Sequence, residues 1–525
     1  MGTLPPLASH ATPGTAIPPE AEPPAPMSRV IGGGMAWFVA LNLGSKVVAF
    51  AAQMALAWLL SQKDFGIYAT AIAVSSFVSV FRDGGVGAIM IQHGEGEYPR
   101  LIGPVFWIAM AVNGATALVL AAFAPIVASI HGERALLGLL LVIAFSLAIG
   151  TPGSILLCKL RMQLRFRLFS QIATASALIR YGSTVAFAWL GFGPLSFVLP
   201  LPIIAVFECA AGYIATRDRP WRISPGLRHW PELLTQGKWL VLGTLAGIMI
   251  DMGDYLIIGF FVPKAVLGVY FFANQLALQS VYTLLSHNAA LVLAPALARL
   301  SGDRMRQHAG AVRSLRALML LAVPGCLGLA VVMEPVEALL LGGRWREAVL
   351  PLQIIAFLLP FRCTTGLTTG VLHAQGRFKR HAALCIVEGS VMMAAAAAGA
   401  ILSGQPAVMA LCTASAMAIG RLVITAIVMR RCDVSLPEVL ASIFPPWILG
   451  AGSACLVFWL DGALTQSLPS AARLVMMGGA FGAAFVLSAR LVLSRQIHEA
   501  LPAAPTRLVP FIERLLLMRH REAAL

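Results

Sequence analysis

The sequence predicts an all-α integral membrane protein of about fourteen transmembrane helices, arranged as two six-helix pseudo-symmetric halves plus two C-terminal helices. Composition, a succession of apolar runs and an internal repeat carry that prediction. Of 525 residues, 58% are hydrophobic and only 12% charged, with a mean hydropathy of +0.83; a soluble domain has roughly 25% charged residues. The 48 glycines and 32 prolines would weaken soluble helices but suit membrane spans, where neighbouring helices re-satisfy freed backbone groups. The formal charge of +15 is spread over many short connections and forms no basic stripe of the kind nucleic acid requires, so no nucleic-acid partner is expected. The eight cysteines lie mostly inside apolar runs, with no C-x-x-C and no Cys/His cluster. They read as small packing residues, and neither a metal site nor a cofactor is expected.

Residues 1–27 are rich in Pro and Ala and contain no apolar stretch, which predicts a disordered tail and no signal peptide. Met27 opens "MSRVIGGGMAW", a more ordinary start for a multispan protein and an alternative translation start to Met1. Apolar runs then alternate with short polar breaks, giving spans at 32–60, 65–91, 101–130, 135–158, 168–191, 195–216, 238–262, 266–297, 314–341, 347–375, 382–402, 406–429, 443–461 and 470–493, each long enough to cross the hydrocarbon. The organisation that follows is an N-terminal half at 28–216, a linker at 217–237, a C-terminal half at 238–431, two added helices at 432–493 and an amphipathic tail at 494–525. That tail alternates apolar and basic residues at helical spacing, as a segment lying along a membrane surface does.

Lys and Arg set the expected orientation. "KLRMQLRFR", "RDRPWRISPGLRHWPE", "RLSGDRMRQHAGAVRSLR", "QGRFKRH" and "RRCD" all fall on one side, whereas the alternate breaks "GFGP", "SGQPA" and "DGALTQSLPS" carry no Lys or Arg. By the positive-inside rule the first side is cytoplasmic. Both termini are then cytoplasmic.

The repeat is read from two sets of matches. Trp37 and Phe65-Gly66-Ile67-Tyr68 align with Trp239 and Leu267-Gly268-Val269-Tyr270, and "IAF" at 143–145 with Arg165-Phe166 aligns with "IAF" at 355–357 with Arg377-Phe378. An even number of spans per repeat makes both halves enter the membrane in the same direction, and transporters place substrate between such halves.

Lys46, Arg82, Asp83, Arg180, Glu208, Asp251, Asp254, Arg362, Glu388 and Arg421 fall inside the spans. Facing lipid, ten charges would cost on the order of 25 to 35 kcal/mol, more than a protein's net stability. They must line a cavity or pair. Asn42, Lys46 and Gln53 share one helical face, as do Asp251 with Asp254, then Gln275, Gln279, Tyr282 and Ser286, and Arg362 with Thr365, Thr369 and His373. These stripes describe a hydrated cavity between the halves, with interhelical hydrogen bonding as the alternative for the neutral residues. Lys46, Arg82, Arg180, Arg362, Gln275 and Gln279 are the candidate substrate contacts. Adjacent residues point about 100° apart on a helix, so Arg82 and Asp83 do not pair with each other. Gly84, Gly85 and Gly87 weaken the helix beyond them. A free guanidinium there is suited to clamping a diphosphate.

The stretch "DFGIYATAIAVSSFVSVFRDGGVGAIMIQ", with Phe65-Gly66, Asp83, Gly85 and Gln92, resembles the second-span signature of the Wzx-type polysaccharide flippases of the multidrug/oligosaccharidyl-lipid/polysaccharide exporter superfamily. "GKWLVLGTLAGIMIDMGDYLIIGFFVPKAVLGVYFFANQLA" is similar to the family's seventh and eighth spans, and "LGGRWREAVLPLQIIAFLLPFRCTTGLTTGVLHAQGR" to its ninth-to-tenth connection, with the family's GxxW kept only as G-R-W at 343–345. The resemblance implies alternating-access transfer of an undecaprenyl-diphosphate oligosaccharide across the bacterial inner membrane, coupled to a proton or sodium gradient. It also implies a polysaccharide polymerase and a chain-length regulator as pathway partners. Arg82 departs from the small or neutral residue the family usually carries before the Asp. Asp83, Asp251 and Asp254 are the candidate ion-coupling residues, since buried carboxylates exchange protons near neutral pH; a salt bridge to Lys46 or Arg180 is the alternative for the last two.

A multidrug cation antiporter or a lipid II flippase would share this architecture. The antiporter favours acidic walls, whereas cations here are at least as frequent as carboxylates within the spans. A membrane enzyme is disfavoured, because the breaks on the side away from the basic loops are short and no catalytic motif stands in a fitting context.

Overall fold

The computed structural model describes residues 44–80, 90, 95–163, 165–283, 304–465 and 468–494. Trp37, Asn42, Arg82, Asp83, Gly84, Gly85, Gly87, Gln92, Ser286, the N-terminal 1–27 tail and the C-terminal tail beyond residue 494 lie outside the described residues. Among the described residues the chain is helical, with no β-strand. The first half contains α1 (Gly44–Leu59), α2 (Gln62–Val78), α3 (Tyr98–His131), α4 (Ala135–Met162), α5 (Phe166–Trp189) and α6 (Pro200–Thr216). The second contains α7 (Trp230–Phe261), α8 (Lys264–Ala277), α9 (Arg304–Leu340), α10 (Arg346–Cys363), α11 (Thr365–Ala374), α12 (Phe378–Leu402) and α13 (Pro406–Met429). Two further helices, α14 (Leu436–Leu460) and α15 (Ser470–Val492), follow.

Local chemistry starts and stops these helices. Ser61 and Asp64 form a capping box at the start of α2, and Ser435 and Glu438 form another at the start of α14, each satisfying free N–H groups of the first turn. Pro200, Pro231 and Pro406 occupy first-turn positions, where no backbone donor is lost. Gly132, with φ 64°, closes α3, a left-handed conformation that glycine adopts without a Cβ clash.

Ten helical segments among the described residues are long and apolar enough to cross a membrane. Three of the other four expected spans run into residues outside the described set. The fourth, α5, is 24 residues long but more polar, with Arg167, Gln171, Ser176 and Arg180 along it. Large apolar side chains such as Leu118, Trp189, Leu402 and Leu491 are exposed around the bundle, as hydrocarbon contact requires.

The sequence repeat recurs in the backbone. The N–H of Leu60 donates to the Leu56 carbonyl and that of Phe65 to Ser61; at the same offset, Val262 donates to Ile258 and Leu267 to Pro263. Arg165 and Arg377 both precede a helix with nearly equal dihedrals, φ −77°, ψ 53° and φ −92°, ψ 47°. Their N–H groups bond back to Leu160 and Leu372 respectively.

The halves meet where α2 crosses α8. A Cβ built on Gly66 would fall on the Lys264 carbonyl oxygen, and one on Gly268 would fall on that of Gln62. Each glycine is the other's repeat counterpart, and together they bring two helix backbones into contact, the use small residues have between membrane helices. Around the crossing, Phe65 packs edge-on against Phe197, Phe272 and Trp345, with centroids 5.1, 5.8 and 4.9 Å away. The Trp345 indole N–H donates to the Ala57 carbonyl at 2.8 Å, and the Trp58 indole to that of Leu340. Gln62 Nε2 donates to the Arg344 carbonyl at 3.3 Å. The α9–α10 connection is thereby fastened over the ends of α1 and α2. These contacts close the crossing between the halves at this end.

Helices α14 and α15 pack on α9. Gly450 admits Val323 and Leu327, Gly328 faces the Phe481 ring, and Arg473 of α15 pairs with Asp461 and Glu334.

Gly66→Ala and Gly268→Ala should each lower stability by about 1 to 3 kcal/mol, the usual cost of overpacking. Gly243→Ala, where a Cβ meets nothing within 4 Å, should leave it unchanged. Thermal unfolding of the purified variants in detergent measures the difference.

Candidate functional site

Among the described residues a cavity of about 440 Å³ lies at the crossing itself, lined by Lys63, His131, Glu133 and Lys264 among others, and two more lie beyond it. The larger, about 480 Å³, lies among α2, α4, α5 and α6, and the smaller, about 130 Å³, joins α1, α2 and α5 to α8. Tyr68, Ile72, Arg180 and Tyr181 line both. Tyr68 stands two residues beyond Gly66 on α2 and stacks on Phe197 at 4.2 Å, with Phe271 edge-on at 5.7 Å. Aromatic rings thus lie between the closed crossing and the polar space.

Arg180 sits midway along α5 and reaches the Tyr68 side chain. Among the described residues its guanidinium has no carboxylate partner. Gln275 and Gln279 of the α8 segment line the smaller cavity with Gln53 of α1, and Gln279 Nε2 donates to Gln275 Oε1 at 3.4 Å. The chain changes from α-helix to a π turn at Leu278–Tyr282, a wide turn often found at functional sites. Lys46 is half-buried on α1, two turns from Gln53 on the same face. Arg180, Gln275 and Gln279, expected from sequence to share a cavity, do share one.

The charges of the second half are arranged differently. Arg362 Nη2 donates to Asp251 Oδ1 at 2.5 Å and its guanidinium lies 5.0 Å from the Tyr282 ring centre. Asp251 therefore pairs with Arg362, not with Lys46 or Arg180. Asp254, only 1% exposed, accepts from its neighbour Tyr255 N–H at 2.8 Å and from the Tyr270 hydroxyl at 2.7 Å. The Tyr270 oxygen lies 3.0 Å from Thr413 Oγ1, and Asn274 Nδ2 donates to the Tyr255 hydroxyl at 2.7 Å. Nearer α12 and α13, Arg421 and Glu388 form a buried ion pair. Arg362 and Arg421 thus have their counter-charges within the same half. Among the described residues no three His, Cys, Asp or Glu side chains converge as a metal-ligand set. Arg82 and Asp83 fall outside the described residues.

Sequence reasoning missed the hydroxyl-bearing wall of the larger cavity, where Ser75, Ser76, Ser79, Ser146 and Ser176 stand with Tyr181. The spacing of Ser75, Ser76 and Ser79 along α2 and the four-residue step from Ser176 to Arg180 were the available signals. Small hydroxyls are ordinary in membrane helices, where they bond to a carbonyl a turn back, as Ser146 does to Val142. The Tyr255–Asp254–Tyr270–Thr413 network was also missed, because its members come from three helices.

Two helical halves that meet at the Gly66–Gly268 crossing beside polar cavities define the fold as that of a multispan helical membrane protein. By sequence the chain belongs to the polysaccharide biosynthesis protein family, whose pattern it matches over residues 55–350. It is 24% identical over 323 residues to the succinoglycan biosynthesis transport protein ExoT of Rhizobium meliloti (strain 1021), a match covering 61% of this chain and 64% of that protein. It is 21% identical over 319 residues to the lipopolysaccharide biosynthesis protein WzxC of Escherichia coli (strain K12), covering 60% of this chain and 63% of that one. Both matches span less than two thirds of the relative's length. In fold the chain is similar to the lipid II flippase MurJ in an inward closed conformation, with a TM-score of 0.67 and 13% identity over 88% of this chain and 99% of that one. It is also similar to an inward-facing multidrug resistance MATE family transporter, with a TM-score of 0.56 and 13% identity over 77% of this chain and 98% of that one.

Arg421→Met alone should destabilise by about 3 to 5 kcal/mol, because it strands a buried carboxylate. Arg421→Met combined with Glu388→Met should recover most of that loss. Unfolding midpoints of the single and double variants, and the coupling between them, test the pairing.

Proposed function

We propose that this protein is a flippase, moving an undecaprenyl-diphosphate oligosaccharide from the cytoplasmic to the periplasmic leaflet of the bacterial inner membrane for polysaccharide biosynthesis. One observation carries the reading: the cavity of the first half presents a guanidinium without a carboxylate partner among the described residues, whereas Arg362 and Arg421 of the second half are paired with Asp251 and Glu388. A cation left uncompensated at membrane depth is costly and marks a substrate path. Arg180 is suited to bidentate capture of a diphosphate. Lys46 adds a second positive charge toward the end of α1 away from the closed crossing, and Gln53, Gln275 and Gln279 offer donors and acceptors across the seam. Arg82 and Asp83 belong to the same reading as further headgroup and coupling residues. Sequence relatives that transport or build polysaccharide support it, and so does the fold shared with a lipid II flippase.

The closed end, away from the Lys/Arg-rich breaks, is read as periplasmic, with both termini cytoplasmic. The cavity then takes substrate from the cytoplasmic side, and transfer requires the Gly66–Gly268 crossing and the Trp58–Leu340 fastening to open. Asp251 and Asp254 are the proposed coupling groups. Asp251 has a side chain 57% exposed and can exchange with solvent, while Asp254 is shielded by two tyrosines. Protonation or sodium binding at Asp251 would loosen its hold on Arg362 and so bias the packing of α7 against α10. A polysaccharide polymerase and a chain-length regulator are the proposed partners. Arg180, which lines both cavities, disfavours the multidrug antiporter reading.

Complementation of a polysaccharide-flippase deletion tests this. The wild-type chain should restore surface polysaccharide. Arg180→Ala, Arg82→Ala and Asp251→Asn, at matched membrane levels, should restore at most about a tenth as much, a loss of about 1.4 kcal/mol or more. Equal rescue by all three would overturn the assignment, and drug resistance without rescue would favour the antiporter. A reducible cross-link between Gln62→Cys and Arg344→Cys should abolish export, and reduction should restore it.

A further inference from the structure

Glu208 stands midway along α6 and lines the larger cavity. Among the described residues its carboxylate makes neither an ion pair nor a hydrogen bond. Its backbone is held firmly. At Gly153 of α4 a Cβ would come within 2.9 Å of the Cys209 nitrogen and 3.1 Å of the Glu208 carbonyl carbon, so the two helices touch there and the site is built on a fixed element. Among the described residues, the ionisable groups lining the cavity with Glu208 are Arg180 and Tyr181 of α5 and Tyr68 of α2; α4 contributes Ser146 there and no charge.

This is an unusual pair of demands on one ligand. Beside Arg180 the ligand must be anionic, and beside Glu208 it must offer hydrogen-bond donors without a negative charge. A simple cation would be repelled by Arg180, and a simple anion by Glu208. A diphosphate joined to a neutral sugar satisfies both, because vicinal hydroxyls donate to a carboxylate, which only accepts. Serine hydroxyls that line the same cavity donate and accept, and so complement the rest of such a ring. The volume of about 480 Å³ lies within the ~300–1,000 Å³ range of small-ligand sites.

We propose that Glu208 is the glycan-reading group of the cavity: it accepts hydrogen bonds from the hydroxyls of the sugar nearest the diphosphate and rejects a sugar that carries a carboxylate at that position. The proposal rests on the flippase reading and adds a selectivity to it. Rejection by like charge is a recognised route to specificity, and a hydroxyl-binding carboxylate loses its partner when that hydroxyl is absent.

Binding by the purified full-length chain in lipid nanodiscs tests it, with three probes: undecaprenyl diphosphate, the same lipid carrying galactose, and the same lipid carrying glucuronic acid. Glu208→Ala should weaken the galactosyl probe about tenfold while leaving the bare diphosphate unchanged or tighter. Glu208→Gln, which keeps shape and one acceptor, should retain most galactosyl binding and admit the glucuronyl probe. Arg180→Ala should weaken all three. Equal loss of the bare and galactosyl probes in Glu208→Ala, or no loss of either, would overturn the role of Glu208. Undiminished binding of every probe by Arg180→Ala would instead overturn the headgroup site, and failure of the wild-type chain to bind any probe would overturn both.

Discussion

The arrangement depends on two backbones touching where α2 crosses α8. In hydrocarbon there is no hydrophobic drive between helices, so association rests on close packing and on polar contacts. Gly66 and Gly268 permit an approach that any side chain would prevent. The fastening of the α9–α10 connection over α1 and the aromatic layer beneath it are built around that point. Lys264 adds to the seam: its ammonium donates to Thr70 Oγ1 and the Gly259 carbonyl, and lies 3.0 Å from His131 Nδ1. In the proposed transport cycle this seam must open, and its parts suit that task. Ring contacts and single hydrogen bonds are individually modest, so the seam is held by many small terms rather than by one that could not be undone.

The two halves share a backbone plan and differ in electrostatics. In the first, Arg180 and Glu208 occupy one cavity without pairing. In the second, Arg362 holds Asp251 and Arg421 holds Glu388. Burying a charge without a partner is expensive, whereas a paired one is neutral enough to pack. The halves differ in where their intramembrane charges lie: Arg180 and Glu208 line a cavity in the first, and Arg362 and Arg421 are paired in the second.

Much of this was legible beforehand. The apolar runs located the helices, since a span needs about twenty apolar residues whatever its neighbours, and the Phe65-Gly66 and Leu267-Gly268 matches marked what proved to be the contact between halves. The polar stripe through Gln275 and Gln279 pointed to the cavity that these residues line. Partner choice was not legible. Asp251 was weighed against Lys46 and Arg180, but its partner Arg362 lies 111 positions away. Helical period assigns a residue to a face; it does not say which helix stands opposite.

The sequence by itself determined the membrane environment, the helical architecture, the repeat and the inventory of charges that cannot face lipid. These follow from short-range rules, because hydropathy and helical period act within a single segment. Only the tertiary structure decided which charges are cancelled and which line open space. That distinction depends on separations of a few ångströms between helices remote in the chain, and electrostatic energy in a low-dielectric interior changes steeply over such distances. It makes Arg362 an internal partner, and leaves Arg180 and Glu208 facing the cavity.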